Sequence, residues 1–355
     1  MKILFVKLGA IGDIVHTLPA LAAVRNAFPA AEISWVAEMR SAEILLGNPL
    51  IDHLIEIDTR SIRRRQPVDE LIRDLKVQAR GLRRNKYDIA LDFQGLLKSA
   101  VIAKLSGAKR RAGFDRRSLR EPSSRFLLTE TVDVPKEINV IQKNLALVAG
   151  VFGIMVPGND LAFPISLDEK HVMEATAISE SIGGRFAILN PGGGWVTKLW
   201  PAERFGELAE MFWSRLGLTS VVSTGPKEGH LAERVRSKVR DAKVVFAEPS
   251  LKGFYELSKK AEVYIGGDTG PTHLAVAAGT PVVGIFGPTE WWRNGSPFPD
   301  DICVERNDIG CRVDCHRRRC SNWICMEITT ETVFNAVKER LESQTDQKRG
   351  HVVNS

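Results

Sequence analysis

Along this chain, short runs rich in apolar and β-branched residues alternate with longer segments in which apolar residues recur at helical spacing. In the first half Ile3–Val6, Glu32–Ala37, His53–Ile57, Tyr87–Leu91 and Arg110–Phe114 read as strands. In the second half Phe186–Leu189, Thr219–Ser223, the Val244-Val245 pair, Val263–Ile265 and Val282–Phe286 do the same. Between the first two, Ile14–Phe28 carries Val15, Leu18, Leu21, Ala22 and Val24 as the apolar positions of a helix, with Pro19 in its first turns. Helices are also predicted over Val68–Arg84, Lys98–Ser106, Asn139–Phe152 and Glu203–Leu216, from a Ser250 cap to Lys260, and from Leu274 to Ala278. Such alternation predicts an α/β fold, parallel sheets with helices on both faces. The rhythm pauses at Gly153–Phe163, a Pro- and Gly-bearing stretch, and then starts again. A boundary is therefore expected there, with one domain over 1–160, a second over 161–343, and a polar, disordered tail over 344–355. A chain of 355 residues can build two cores of that size.

The loops that leave the strands narrow the chemistry. After the first strand comes Lys7-Leu8-Gly9-Ala10-Ile11-Gly12-Asp13, a G-x-x-G-D loop that lacks the G-x-G-x-x-G dinucleotide fingerprint. Asp13 stands where loop becomes helix, as an N-terminal cap or as a functional acid. In the second half four strands end in loops of Gly, Pro or Thr. They are Asn190-Pro191-Gly192-Gly193-Gly194, Thr224-Gly225-Pro226-Lys227-Glu228, Gly267-Asp268-Thr269-Gly270-Pro271-Thr272-His273 and Gly287-Pro288-Thr289. Lys198 comes soon after the triple glycine and supplies a cation. Pro271 suits a first helical turn, so Thr269 or Gly270 is the expected cap, and a helix start attracts phosphate. A capped helix that merely contains His273 is the bland alternative. Because ligands of open parallel sheets bind beyond the carboxyl ends of the strands, the four loops together point to one nucleotide-type site.

Charge adds an asymmetry. Residues 1–160 hold 25 Lys and Arg against 18 Asp and Glu, a net +7, while the remainder holds 24 against 25, a net −1. The first half therefore suits an anionic partner: nucleic acid, an anionic membrane surface or an acidic glycolipid. The arginine clusters stand apart from aromatic residues, which argues against nucleic acid. No apolar run reaches the length of a membrane span, and Lys7 and Asp13 interrupt the apolar start, so a cytoplasmic protein with a retained first strand is expected. All five cysteines lie after residue 300, in the spacing Cys311-x3-Cys315-x4-Cys320-x4-Cys325 for the last four. Reduced structural thiols fit that spacing best, and a metal site with His316 or a redox pair stays open.

Several of these motifs resemble one family. Lys7–Asp13, Asp92-Phe93-Gln94-Gly95-Leu96-Leu97-Lys98-Ser99, Arg120-Glu121-Pro122, Lys198-Leu199-Trp200-Pro201, Asp268–His273 and Phe286-Gly287-Pro288-Thr289 run in order over nearly the whole chain. Together they are similar to the lipopolysaccharide heptosyltransferases of glycosyltransferase family 9. The resemblance implies a GT-B type fold of two facing Rossmann-like halves. The N-terminal half would take the acceptor and the C-terminal half ADP-heptose, with an inverting transfer to the lipopolysaccharide inner core. It implies Asp13 as catalytic base and Lys198 as the phosphate-contacting lysine. Gly193, Gly194, Glu228, Asp268, Thr269, Gly270 and His273 would be further donor contacts. Arg60, Arg63, Arg64 and Arg120 are acceptor candidates, since guanidinium groups bind carboxylate and phosphate bidentately.

The arginines after residue 60, with Arg120-Glu121-Pro122, are more similar to the heptosyltransferase I branch, whose acceptor is a Kdo sugar on lipid A. The cysteine segment is more similar to heptosyltransferase II and other branches. The implied protein is a monomer at the cytoplasmic face of the inner membrane, peripherally attached, with no cofactor, no metal and no nucleic-acid partner. A family member with another sugar nucleotide, or a non-catalytic nucleotide- or glycan-binding module on the same fold, are the alternatives.

Overall fold

A parallel strand in the middle of a sheet is covered on both faces, and that is the burial pattern of the strands here. The computed structural model describes residues 1–58, 81–158, 160–311, 315 and 317–352, with side chains as far as residue 343. The chain divides into two compact units, Met1–Ser166 and Leu167–Ser355, with the division just beyond the Pro/Gly stretch.

The first unit holds strands β1 (Lys2–Val6), β2 (Glu32–Glu38), β3 (His53–Ile57), β4 (Ile89–Asp92), β5 (Arg110–Phe114) and β6 (Glu130–Val132). They pair in the order β3-β2-β1-β4-β5-β6, all parallel. Chain order therefore runs outward from β1 in one direction and, from β4, in the other. The sheet reverses between β1 and β4, where Val6 lies beside Asp92. Loops leaving two strands at such a reversal diverge and open a crevice at their carboxyl ends. Phe5, fully buried, stacks between Trp35 at 5.4 Å and Phe93 at 5.1 Å and so fixes the floor beneath that crevice. The Trp35 indole N–H donates to the Lys7 carbonyl at 3.1 Å, which pins the loop after β1.

The second unit repeats the plan. Its strands are β7 (Phe186–Asn190), β8 (Thr219–Ser223), β9 (Val244–Ala247), β10 (Val263–Gly267), β11 (Val282–Phe286) and β12 (Ile302–Glu305). The order is β12-β11-β10-β7-β8-β9, again all parallel, with the reversal between β7 and β10. Every residue of β7, β8, β10 and β11 is buried. The Ala202–Leu216 helix lays Phe205, Leu208, Ala209 and Phe212 on this sheet at the i, i+3, i+4, i+7 spacing of one helical face.

The α/β architecture matches the hydrophobic pattern, and differences are local. The expected Ile14–Phe28 helix is two helices, Ile11–Val15 and Leu18–Ala27. Pro19 has no N–H to give, so a helix restarts there with proline in its first turn. Asn144, from the Val140–Phe152 helix, covers the break by donating to the His16 carbonyl at 3.0 Å and to Thr17 Oγ1 at 3.1 Å. Strands β6 and β12 and the helices Glu169–Ile182, Gly229–Arg236 and Thr330–Val352 lie beyond the predicted elements. The last of these runs through most of the stretch expected to be a disordered tail. Residues 344–349 contain neither Pro nor Gly, so extending the helix costs little. Most of the expected Val68–Arg84 helix falls outside the described residues. Among the described residues no helix is long and apolar enough to cross a membrane.

A buried ion pair ties that last helix to the sheet. Asp301 Oδ1 accepts from the Val282 N–H at 2.8 Å and from Arg340 Nε at 3.0 Å. Burial nonetheless pushes the Asp301 carboxyl up from its ordinary range. Removing one member of a buried pair strands the other, so Arg340→Met is expected to cost about 3–5 kcal/mol of stability. Chemical denaturation of the variant and the parent measures it.

Candidate functional site

In the second unit the loops after β7, β8 and β10 come together. Asp268, directly after β10, is buried and meets a lysine and a histidine. Lys198 Nζ lies 2.5 Å from its Oδ2 and His273 Nε2 lies 3.3 Å from its Oδ1. Burial alone would raise the Asp268 carboxyl. The His273 hydrogen bond and the Lys198 charge outweigh it and hold Asp268 well below the usual carboxylate range. Lys198 comes from the far end of the glycine loop, on a short 3-10 turn, and its ammonium also lies 4.4 Å from the centroid of the Trp195 ring.

Thr269 occupies the N-cap of the Gly270–Ala277 helix, but its side chain caps nothing. Pro271 has no N–H, and so Gly270 and Thr272 offer the first-turn amides. Lys198, the histidine and the positive end of the helix together make an anion site of the kind that binds phosphate.

Glu228 does something else. Its carboxylate accepts from the Gly193 N–H at 3.1 Å and from the Gly225 N–H at 2.8 Å, lashing the loops after β7 and β8 together. Gly193 packs against Thr269, where a Cβ would stand 2.7 Å from the threonine methyl. Gly194 opens to free space. Of the residues singled out in this half, all seven donor candidates and Lys198 sit at the carboxyl ends of β7, β8 and β10.

The first unit gathers a second polar cluster at its own reversal. Asp13, three residues into the Ile11–Val15 helix, accepts from the Ala10 N–H at 3.0 Å and from Gln94 Nε2 at 3.4 Å. Lys7 Nζ lies 3.6 Å from Asp13 Oδ1 and donates to the Phe93 carbonyl at 3.0 Å. Gln94 Oε1 in turn accepts from the Leu8 N–H at 3.1 Å. Gly9 makes the bend with φ +145°, and a Cβ there would stand 2.7 Å from Ser41 Oγ. Arg120 is exposed, close enough to Lys7 for its charge to act on it. Arg60, Arg63 and Arg64 lie outside the described residues.

Lys7, Gln94 and Asp92 were not among the candidates. The rule that adjacent strands at a sheet reversal share a crevice would have found them, once β4 is known to lie beside β1. Asp92 is wholly buried. Its Oδ1 accepts from the Gln94 and Gly95 N–H groups at 2.9 and 3.1 Å, and its Oδ2 accepts from Ser99 Oγ at 3.0 Å. Burial prevails over those bonds and pushes its carboxyl up to about 6.

All five cysteines are free thiols. Cys311, Cys315, Cys320 and Cys325 line one small cavity with Thr197 and Trp323. No group of three or more His, Cys, Asp or Glu among the described residues is placed to hold a metal ion. The segment is tied to the donor loop, since Thr197 Oγ1 donates to the Arg317 carbonyl at 2.7 Å and Trp323 Nε1 donates to the Thr197 carbonyl at 2.9 Å. His316 lies outside the described residues.

Known proteins share this plan. The family described as glycosyltransferase family 9 (heptosyltransferase) matches residues 76–323. Lipopolysaccharide heptosyltransferase 1 of Pseudomonas aeruginosa is 29% identical over 318 residues, covering 86% of this chain and 87% of that protein. The structure of Escherichia coli heptosyltransferase WaaC with ADP has a TM-score of 0.76 at 23% identity, covering 96% of this chain and 100% of that one. WaaC with ADP-2-deoxy-2-fluoro heptose gives 0.74 at 23% identity, covering 97% and 100%. The likeness in structure establishes the GT-B type glycosyltransferase fold, built on two parallel six-stranded sheets.

The geometry has two measurable consequences. Lys198→Met takes a charged donor from the anion site, and charge-assisted bonds of this kind are worth about 1.5–3 kcal/mol. Calorimetric titration with inorganic pyrophosphate, an anion that the site's chemistry suits, should show binding weakened by about ten- to a hundredfold. The second concerns Asp92. Its folded-state carboxyl is raised, so the native protein takes up a proton near pH 6 that the unfolded chain takes up only near its ordinary 3.8. This contribution favours the folded state as pH falls from above 6 toward 4 and is lost as pH rises through 6. Asp92→Asn keeps an oxygen for the two N–H groups and removes the titration. Thermal denaturation at pH 5 and pH 7 should show the parent losing stability relative to the variant at the higher pH, by about 1.4 kcal/mol at most.

Proposed function

Since the chain belongs to glycosyltransferase family 9, the heptosyltransferases, we propose that it moves L-glycero-D-manno-heptose from ADP-heptose to the Kdo of lipid A with inversion, Asp13 acting as general base. At the coarser level it is a glycosyltransferase of lipopolysaccharide core synthesis, as its relatives are named. The observation that carries the donor side is the Lys198–Asp268–His273 cluster at the start of the Gly270–Ala277 helix. That is a cationic, N–H-bearing place for a diphosphate, which both enters as part of the donor and leaves as the departing group.

The chemistry is a single displacement. Asp13 takes the proton as the acceptor oxygen attacks the anomeric carbon. The new C–O bond forms on one face while the bond to the diphosphate oxygen breaks on the other, and its electron pair leaves with ADP. Lys198 and the helix start stabilise the negative charge gathering on that leaving group, an effect that works best where water is excluded. Asp268 holds Lys198 and His273 in place, and Glu228 keeps the glycine loop shaped for the ligand.

On the acceptor side, exposed Arg120, together with Arg60, Arg63 and Arg64, suits the carboxylate of Kdo and the phosphates of lipid A. The net positive charge of residues 1–160, with exposed Arg116, Arg117 and Phe126, suits peripheral contact with an anionic inner-membrane surface from the cytoplasmic side. The protein acts as a monomer with no cofactor. A second reading, a heptosyltransferase II-type acceptor, draws support from the cysteine segment beside the donor loop.

The test pairs ADP-heptose with Kdo-lipid A and, separately, with heptosylated core. Product with the first acceptor alone supports the proposal. Product with the second alone moves the assignment to the other branch, and product with neither overturns it. Asp13→Asn should keep the KM for ADP-heptose and lower kcat by about 10²–10⁴-fold, the usual contribution of a positioned base. Near-normal turnover would reduce Asp13 to a helix cap.

A further inference from the structure

A lysine buried at the end of a central strand needs a reason, because desolvating an ammonium is costly and an apolar side chain would fill the same space. Lys7 is 3% exposed. Burial, reinforced by the charge of Arg120, pulls its ammonium below the ordinary lysine range, while Asp13 and Asp92 work against that. The charged groups around it are thus Asp13 on its own loop, Asp92 at the end of β4 and Arg120. Glu38, at the end of β2, is held by Lys98 at 3.0 Å. Of the two ammonium contacts resolved, one is the Phe93 carbonyl and the other the Asp13 carboxylate.

The rest of the cluster converges on the same carboxylate. Asp92 fixes the backbone of Gln94 and Gly95. That backbone lets the Gln94 amide span from the Leu8 N–H to Asp13 Oδ2, while the Ala10 N–H meets the same oxygen. Asp13 therefore has N–H donors on one oxygen and a buried cation on the other.

We propose that Lys7 is a positioning residue for Asp13. Its ammonium, tethered to the Phe93 carbonyl, keeps the Asp13 carboxylate oriented to receive the acceptor's proton, with Gln94 completing the hold. This rests on the assignment of Asp13 as base. A merely structural lysine would stabilise the loop, and its loss would cost turnover whether or not Asp13 is present. A lysine acting through Asp13 costs turnover only while Asp13 is there to be oriented.

The experiment uses the full chain carrying Lys7→Gln, which preserves a donor for Phe93 but not the charge, Lys7→Arg, which keeps the charge, and Asp13→Asn alone and combined with Lys7→Gln. Lys7→Gln should lower kcat by about tenfold or more through misplacement of the base, leaving the KM for ADP-heptose within about twofold. Lys7→Arg should restore kcat to within about threefold of the parent. In the Asp13→Asn background, Lys7→Gln should cost no more than about a further twofold. Losses that multiply in the double variant overturn the role of Lys7 while the base assignment stands. Near-normal turnover of Asp13→Asn alone overturns the base assignment and the Lys7 role with it. Should Lys7→Gln fail to fold, Gln94→Leu removes the other hold on Asp13, and a loss of kcat there that multiplies with Asp13→Asn likewise contradicts the proposal.

Discussion

Each sheet reverses its strand order once, and much of the chemistry on this chain depends on that reversal. Between β1 and β4, and again between β7 and β10, neighbouring strands send their chains away in opposite directions. The space left at their carboxyl ends is walled by backbone and floored by aromatic and aliphatic side chains. Polar groups put there are partly cut off from water, so each must find a partner among the few within reach. The two units meet that constraint with similar means: a lysine from the loop after the first strand of the sheet, and a carboxylate from the strand that neighbours it.

The same burial has opposite results in the two places. Asp268 has a lysine at 2.5 Å and a histidine at 3.3 Å, and attraction outweighs desolvation. Asp92 has hydrogen bonds and, among the described residues, no ion pair; the Lys7 charge acts on it only weakly, and desolvation prevails. One carboxylate is thereby locked in its charged form as the keystone of an anion site. The other takes up its proton at about pH 6 and sets a backbone turn. Asp13 differs from both, since its side chain remains 29% exposed.

Much of this was legible from the sequence because it is local. Strand-then-loop chemistry at Gly192–Lys198 and Asp268–His273 announces itself through residue type, and parallel sheets make the ends of such strands neighbours. Glu228, a donor candidate only through the resemblance, bonds to Gly193 and Gly225 and braces the loops. What stayed hidden needs long-range pairing. Nothing near Lys7 in sequence says that Phe93 and Gln94 stand beside it, because the β1–β4 neighbourhood is set by topology. The edge strands β6 and β12 were missed because they are short and half-exposed, so their apolar signal is weak. The break at His16–Thr17 was missed because Asn144, which satisfies it, comes from a distant helix.

Everything proposed for the donor side requires that the start of the Gly270–Ala277 helix, with Lys198 and His273, cradles the diphosphate of an ADP-sugar. A crystal structure of this protein with ADP-2-deoxy-2-fluoro heptose bears on that requirement directly. Diphosphate oxygens should then lie within hydrogen-bonding distance of the Gly270 and Thr272 N–H groups and of Lys198 Nζ. A diphosphate bound elsewhere, with Lys198 still closed on Asp268 and the helix start empty, would contradict it.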